Sequence, residues 1–454
     1  MAAGGCWGRF LAVATAHAVG CDSARTARLG GAVSVSGACH SLRGMLEGLG
    51  AVDWAALEHA YGSAGDVPEL IRALRDRDPE VRNRALWQLW GNIYHQGSRF
   101  QASAAAVPFL LELVVDPATP GRSEIVRLLA ALAIGYDEAW VPGAFPVAAY
   151  RTDAAAGEQL LRAAPPVGAG DGGVARRAYF ESLAVDDNRV GAFFELAAYD
   201  AVRAGVAQVG ALLADEAPAL RVAAAYALAW FPEEAAVSVP VLGRAVADSD
   251  PAVATTALVA VGLVGGANET HLVESMLGDP RVSVRWAAAV ALASLRGPAA
   301  GPGVAAELLA WSGGSSQPHL EVPFLDGDLA GYASRALLQL GQAHEDASFA
   351  ALLARLPRVS GTEALAVAQV AMRRAFPAGP VPEGTLFAAL DRRQQRLVEV
   401  LAGSPATWTS NGLLFGNFIG LVGWYGLPDD PEGMRAYVAG GEPTSGRLGR
   451  RLGQ

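Results

Sequence analysis

Apolar residues recur along most of this chain at helical spacing. After Asp78-Pro79, residues Val81, Ala85, Leu86 and Leu89 fall at i, i+4, i+5 and i+8, an apolar stripe on one side of a helix. The opening returns as Pro218-Ala219-Leu220-Arg221-Val222-Ala223-Ala224, as Asp250-Pro251-Ala252-Val253, and as Asp279-Pro280 ahead of Val284-Arg285-Trp286-Ala287-Ala288. An Asp at this place can accept hydrogen bonds from the orphan N–H groups of the first turn. The proline after it loses nothing by lacking an N–H at the first helical position. Leu220 and Val253 are 33 residues apart, and Val253 and Val284 are 31 apart. That is the length of two helices and two turns. Partner helices are predicted over Asp66–Arg75, Ser103–Val115, Ser238–Asp248, Thr270–Leu277 and Gly303–Trp311.

The expected fold class is therefore all-α: an α-solenoid, or superhelix, of stacked antiparallel helix pairs. The repeated phrase resembles the HEAT family in its short form, the type similar to phycobilin lyase HEAT repeats and common in bacterial proteins of unassigned role. Weaker copies fall at Asp116–Ile134, Asp326–Leu340 and Gly361–Phe376, so the resemblance covers about residues 66–376. Arg82, Arg221 and Arg285 recur in register, with Ala254 in the remaining copy. They suggest a ladder from each Arg to the Asp of a neighbouring repeat, with one gap.

The periodicity also divides the chain. Residues 1–44 are Ala/Gly/Ser-rich and lack helical spacing, and read as a disordered or spurious extension that translation from Met45 would omit. The alternative is a lipoprotein signal within residues 1–21, with Ala18-Val19-Gly20-Cys21 as a loose lipobox. Residues 45–140 read as N-terminal helical repeats. Residues 141–173, with four prolines and six glycines, read as an irregular insertion holding a short helix at 154–164. Residues 174–311 read as HEAT-like repeats, 312–325 as a linker, 326–440 as C-terminal repeats and cap, and 441–454 as a tail.

Composition removes several kinds of chemistry. All 35 basic residues are Arg, so no lysine-based Schiff base, P-loop or Ser-Lys dyad can form. Net charge is −10. Four Arg against Asp22 give residues 1–44 a charge of +3, which leaves −13 on the rest. An acidic body disfavours nucleic-acid binding and suits a protein or peptide partner. The three cysteines, Cys6, Cys21 and Cys39, all lie in the first 44 residues, so the body has no disulfide, thiolate metal site or cysteine nucleophile. No apolar run approaches the ~20 residues of a membrane span. The expected location is cytoplasmic.

The polar positions that break the pattern give the candidate site. Asn92, Tyr94, His95, Gln96 and Arg99 crowd the turn after one helix, and Tyr136, Asp137, Glu138 and Trp140 end a later one. Stacking places equivalent turns on one edge, which suggests His95 beside Asp137 or Glu138. Their expected role is polar recognition with aromatic anchoring. The structural alternative is that His95 and Gln96 satisfy turn carbonyls while the aromatic rings fill the inter-repeat groove. The string Gly168-Ala169-Gly170-Asp171-Gly172-Gly173 matches a dinucleotide fingerprint in letters only, since no strand precedes it. No pair of histidines has zinc-binding helical spacing, and no catalytic or metal site and no cofactor is expected. Asp326 and Asp328 read as helix-start acids. Trp87, Trp90, Trp230 and Trp286 are expected in the core, while Trp140, Trp311, Trp408 and Trp424 fall at helix ends or in loops.

The leading functional expectation is a non-enzymatic scaffold that binds a protein or peptide along one edge or its concave face. The alternative implied by the resemblance is a phycobilin-lyase-like or other small-ligand protein. A third is a DNA-binding protein like the HEAT-like alkylpurine glycosylases, which requires a basic stripe from Arg75, Arg77, Arg82, Arg84 and Arg99.

Overall fold

The computed structural model describes residues 45–165, 179–180, 182–183, 188–313 and 321–441. The extension 1–44, the Gly168–Gly173 string, Gly314–Ser316, His319 and residues 442–454 lie outside these. The chain divides into two compact units.

The first unit holds residues up to Trp140 and Ala144–Ala245. Its helices are α1 (Val67–Ala73), α2 (Pro79–Asn92), α3 (Gln101–Val115), α4 (Arg122–Ile134), α5 (Val147–Ala163), α6 (Arg189–Arg203), α7 (Val206–Ala211), α8 (Pro218–Leu228) and α9 (Ala235–Ala245). Consecutive helices pair as α1/α2, α3/α4 and α7/α8. The pair α3/α4 packs on the pair α7/α8, α3 against α7 and α4 against α8. The stack thus bypasses α5 and α6, which form a hairpin of their own, with α6 lying along both α3 and α4. Within the span read as an irregular insertion, the described part contains a helix of 17 residues rather than a short one. Its buried Val147, Ala154 and Gly157 fall at intervals of seven and three, a helical stripe that the flanking prolines and glycines obscure.

The second unit holds Val141–Gly143 and Val246 onward. Its helices are α10 (Pro251–Val264), α11 (Thr270–Ser275), α12 (Val282–Arg296), α13 (Pro302–Gly313), α14 (Leu329–Ala336), α15 (Glu345–Arg355), α16 (Gly361–Ala375), α17 (Arg392–Gly403), α18 (Gly416–Trp424) and α19 (Pro431–Val438). The row α10, α12, α14, α16 stacks in order, and α13 stacks on α15 in the parallel row. Small residues set the spacing. A β-carbon added at Gly262 of α10 would lie 2.6 Å from Ala291 Cα of α12. Thr255 Oγ1 donates to Ser283 Oγ across the same interface at 3.1 Å.

The repeated phrase works as a local clasp. Asp76, Asp215, Asp248 and Asp279 each accept the backbone N–H two residues on. Six residues after three of these acids, Arg82, Arg221 and Arg285 reach back to the carbonyls of the turn that precedes their own helix. Arg82 Nη1 donates to Asp76 O at 2.8 Å and Arg77 O at 2.9 Å. Arg221 meets Asp215 O and Glu216 O at 2.9 and 3.0 Å, and Arg285 meets Asp279 O and Pro280 O at 2.8 and 3.2 Å. The expected ladder between repeats is thus corrected for these bonds, which stay within one repeat. Near the last copy the helix begins at Val282, because the Asp279 carboxylate holds the Arg281 N–H in a turn first.

Among the described residues, three β-hairpins with two-residue strands, Glu58–His59 with Gly62–Ser63, Tyr94–His95 with Ser98–Arg99, and Thr409–Ser410 with Leu413–Leu414, interrupt the helices without altering the class. Trp230 and Trp286 are fully buried, as is Trp408. Trp87 is not: it is 75% exposed. Ala85, Leu89 and Ile93 make the buried stripe of that segment, and at about 100° per residue Trp87 lies on the opposite side of α2. Asp328 caps α14 by accepting Gly331 N–H at 2.8 Å and also pairs with Arg355, while Asp326 sits in the left-handed region at φ 52°.

Candidate functional site

The candidate residues gather on one edge of the first unit. Tyr94-His95 and Ser98-Arg99 pair as strands around Gln96 (φ 49°) and Gly97 (φ 86°). Two successive positive φ values are what a two-residue hairpin of I′ type requires. A β-carbon at Gly97 would stand 3.0 Å from the Tyr136 ring, a tight contact that would press the ring outward. The two turns thus lie side by side, and the Tyr94 and Tyr136 rings meet edge to face at 5.9 Å.

Arg99 anchors this edge from beneath. It is only 4% exposed. Nη1 donates to Gly97 O, and Nη2 lies 3.3 Å from Glu195 Oε2 on α6. A β-carbon at Gly135 (φ 72°) would sit 2.6 Å from Nη1. Tyr150 of α5 lies close to Arg99 and Glu195, and burial, then the Glu195 charge, pushes its phenol above the usual tyrosine range. Burial, then the neighbouring Tyr136, raises Tyr94 likewise. Neither phenol is poised to ionise near neutrality. Arg99 is thus a strut holding the hairpin to α5 and α6.

Asp137 is buried, and Glu138 acts electrostatically on Tyr94. Trp140 Nε1 donates to Ile134 O at 2.8 Å, closing the end of α4, and its ring packs on Phe145 and Tyr150. The His95 ring meets neither expected carboxylate. Its Nδ1 bonds Tyr61 Oη at 3.3 Å, with ring centroids 5.3 Å apart. Of the residues read from sequence, Gln96 and Tyr136 are exposed, Asn92 and His95 half-buried, and Tyr94, Arg99 and Asp137 buried.

The sequence reading missed a second set beside these. The hairpin 58–63 places His59 so that Nδ1 accepts the Tyr61 N–H at 3.0 Å and Nε2 meets Asp66 Oδ1 at 3.0 Å. Asn92 Nδ2 donates to Asp66 Oδ2 at 2.7 Å, and Asn92 O accepts Ala60 N–H at 3.0 Å. Tyr61, 69% exposed, lies over Gly91 of α2, with Trp87 one turn earlier on that face. The signal was an internal echo: Glu58-His59-Ala60-Tyr61-Gly62-Ser63 precedes α1 as Tyr94-His95-Gln96-Gly97-Ser98-Arg99 precedes α3.

Of the five arginines proposed for a nucleic-acid-binding stripe, Arg77 and Arg84 are exposed, while the other three are engaged or buried. Arg75 pairs with Asp116 at 2.8 Å, Arg82 is engaged with turn carbonyls, and Arg99 is buried. Among the described residues, no group of three or more His, Cys, Asp or Glu side chains could hold a metal ion, and no helix is long and apolar enough to cross a membrane.

Residues 206–293 match the family model for HEAT repeats. Among solved structures, the complex of CpcE and CpcF of phycocyanin lyase from Nostoc sp. PCC7120 is similar at 17% identity. The match covers 66% of this chain and 91% of that chain, with a TM-score of 0.37. No curated protein matches the chain. Residues 206–293 are thus a HEAT-repeat segment, and the described residues around it form an all-α stack of helix pairs, the solenoid class.

Proposed function

We propose that this protein is a non-enzymatic HEAT-repeat scaffold that docks a protein or peptide on the edge of its first unit. The observation that carries the reading is the trio of solvent-facing rings there: Trp87, Tyr61 and Tyr136, the last 50% exposed. Large aromatic side chains left in water beside a well-packed stack are the residue types that dominate binding energy at protein interfaces. Asn92, His95 and Gln96 add polar contacts around them. Tyr94, Arg99, Asp137, Glu138 and Trp140 hold the turns that present them, so their role is support rather than contact.

The test is affinity purification of partners on the full chain and on a Tyr61→Ala/Trp87→Ala/Tyr136→Ala variant. A stoichiometric partner held by the first and lost by the second supports the reading. A partner held equally by both removes the edge from the interface. A tetrapyrrole absorbance carried through purification of the intact protein would instead favour the lyase-like alternative.

A further inference from the structure

Resting on that docking reading, we infer that the edge recognises a cationic side chain, an arginine above all, seated between the Asp66 carboxylate and the Tyr61 ring. The electrostatics of Asp66 carry the inference. Its two oxygens are held by the His59 imidazole and the Asn92 amide. Because His59 Nδ1 accepts the Tyr61 amide, that nitrogen bears no hydrogen; Nε2 is the donor to Asp66, and the ring is neutral. Asn92 is neutral as well. Among the described residues no arginine pairs with Asp66, so its negative charge stands uncompensated on a side chain 47% exposed.

The carboxylate is also pre-positioned. A carboxylate has about four lone-pair sites, and His59 and Asn92 use one on each oxygen. One site on each oxygen is left, which suits the paired N–H groups of a guanidinium. Tyr61 is fixed through its amide by His59 and through its hydroxyl by His95. Its exposed ring packs at 6.4 Å against the His59 ring that holds Asp66, which sets an aromatic side chain beside the carboxylate for the same cation. The nearby Arg99 is buried and faces Glu195, so it does not repel the guest. The occupant is thus an arginine-bearing segment of a partner protein, with Trp87 and Tyr136 receiving its flanking apolar residues.

The test is selection of a displayed random dodecapeptide library on the full chain, with counter-selection on the Tyr61→Ala/Trp87→Ala variant. Enriched peptides are expected to carry arginine. Their affinity is expected to fall about tenfold against Asp66→Asn, and by a similar factor when the arginine is replaced by its neutral isostere citrulline. The amide introduced by Asp66→Asn keeps an oxygen for His59, and Asn92 can turn its own amide to match, so this variant retains the fold. Tyr61→Leu, which keeps apolar bulk but removes the ring face, is a second variant expected to weaken the same peptides. Enriched peptides without a cationic residue, or bound equally by Asp66→Asn and Tyr61→Leu, overturn the cation while leaving the docking edge in place. If no peptide survives counter-selection, the docking edge itself fails.

Discussion

Arg281 Nη1 donates to the Asp248 carbonyl at 2.8 Å, across one repeat to the next. In the other copies that carbonyl's counterpart is met by the Arg six residues later; here position 254 is Ala. The missing donor is supplied by the following repeat, whose own turn carbonyls are met by Arg285. Arg281→Ala should therefore lose an inter-repeat bond and the Asp279 pairing together. A cost of about 1–3 kcal/mol is expected, read as a lower urea midpoint at unchanged slope. An unchanged midpoint would show that water satisfies Asp248 O equally well.

Asp279 adds a pH dependence. Its hydrogen bonds from the Arg281 guanidinium hold its carboxyl below the usual aspartate range. A carboxylate depressed in the folded state contributes stability that is fully present above its unfolded value of about 3.9 and is lost as pH falls through the lower folded value. Stability should thus drop below about pH 4, and Asp279→Asn should make that drop shallower. Parallel acid titrations of both proteins by circular dichroism test this.

Two glycines mark where helices touch backbone to backbone. A β-carbon at Gly157 of α5 would collide with Arg189 O at the start of α6, and one at Gly262 would press on Ala291. Alanine at either position should cost about 1–3 kcal/mol through forced separation of the helices, against the small gain alanine gives at an open helical site. Thermal unfolding of each single variant measures it. No loss at Gly262 would mean that α10 and α12 slide apart freely.

The pairing of buried Arg99 with the partly exposed Glu195 predicts a non-additive result. Glu195→Ala alone strands a guanidinium that is almost wholly out of water, at about 3–5 kcal/mol. The double replacement Arg99→Met/Glu195→Leu should be milder than Glu195→Ala, because apolar residues of similar volume remove the burden of burying charge. A double variant as unstable as the sum of the two single ones would contradict the coupling.

The helices were legible because each repeat states its own start and stripe: Asp250 with Pro251 begins α10, and Val253 onward fills it. The clasp of Arg82 on Asp76 O was misread as a ladder because spacing alone does not tell whether a side chain reaches forward or back. Trp87 was misplaced because it was judged by its apolar character; its phase against Ala85 and Leu89 puts it outside. Of the site, the turns at 94–99 and 136–140 stood out as dense polar clusters, and stacking brought them together. The partner of His95 did not stand out. It is Tyr61, from a hairpin more than thirty residues earlier in the sequence, and only the echo of one hairpin in the other hinted at it.

The most direct test of the docking edge is hydrogen exchange of the full chain with and without a purified partner. Slowed exchange concentrated in residues 58–66, 87–99 and 134–140 is the result expected. Protection confined to other helices, with these three segments unchanged, would contradict it.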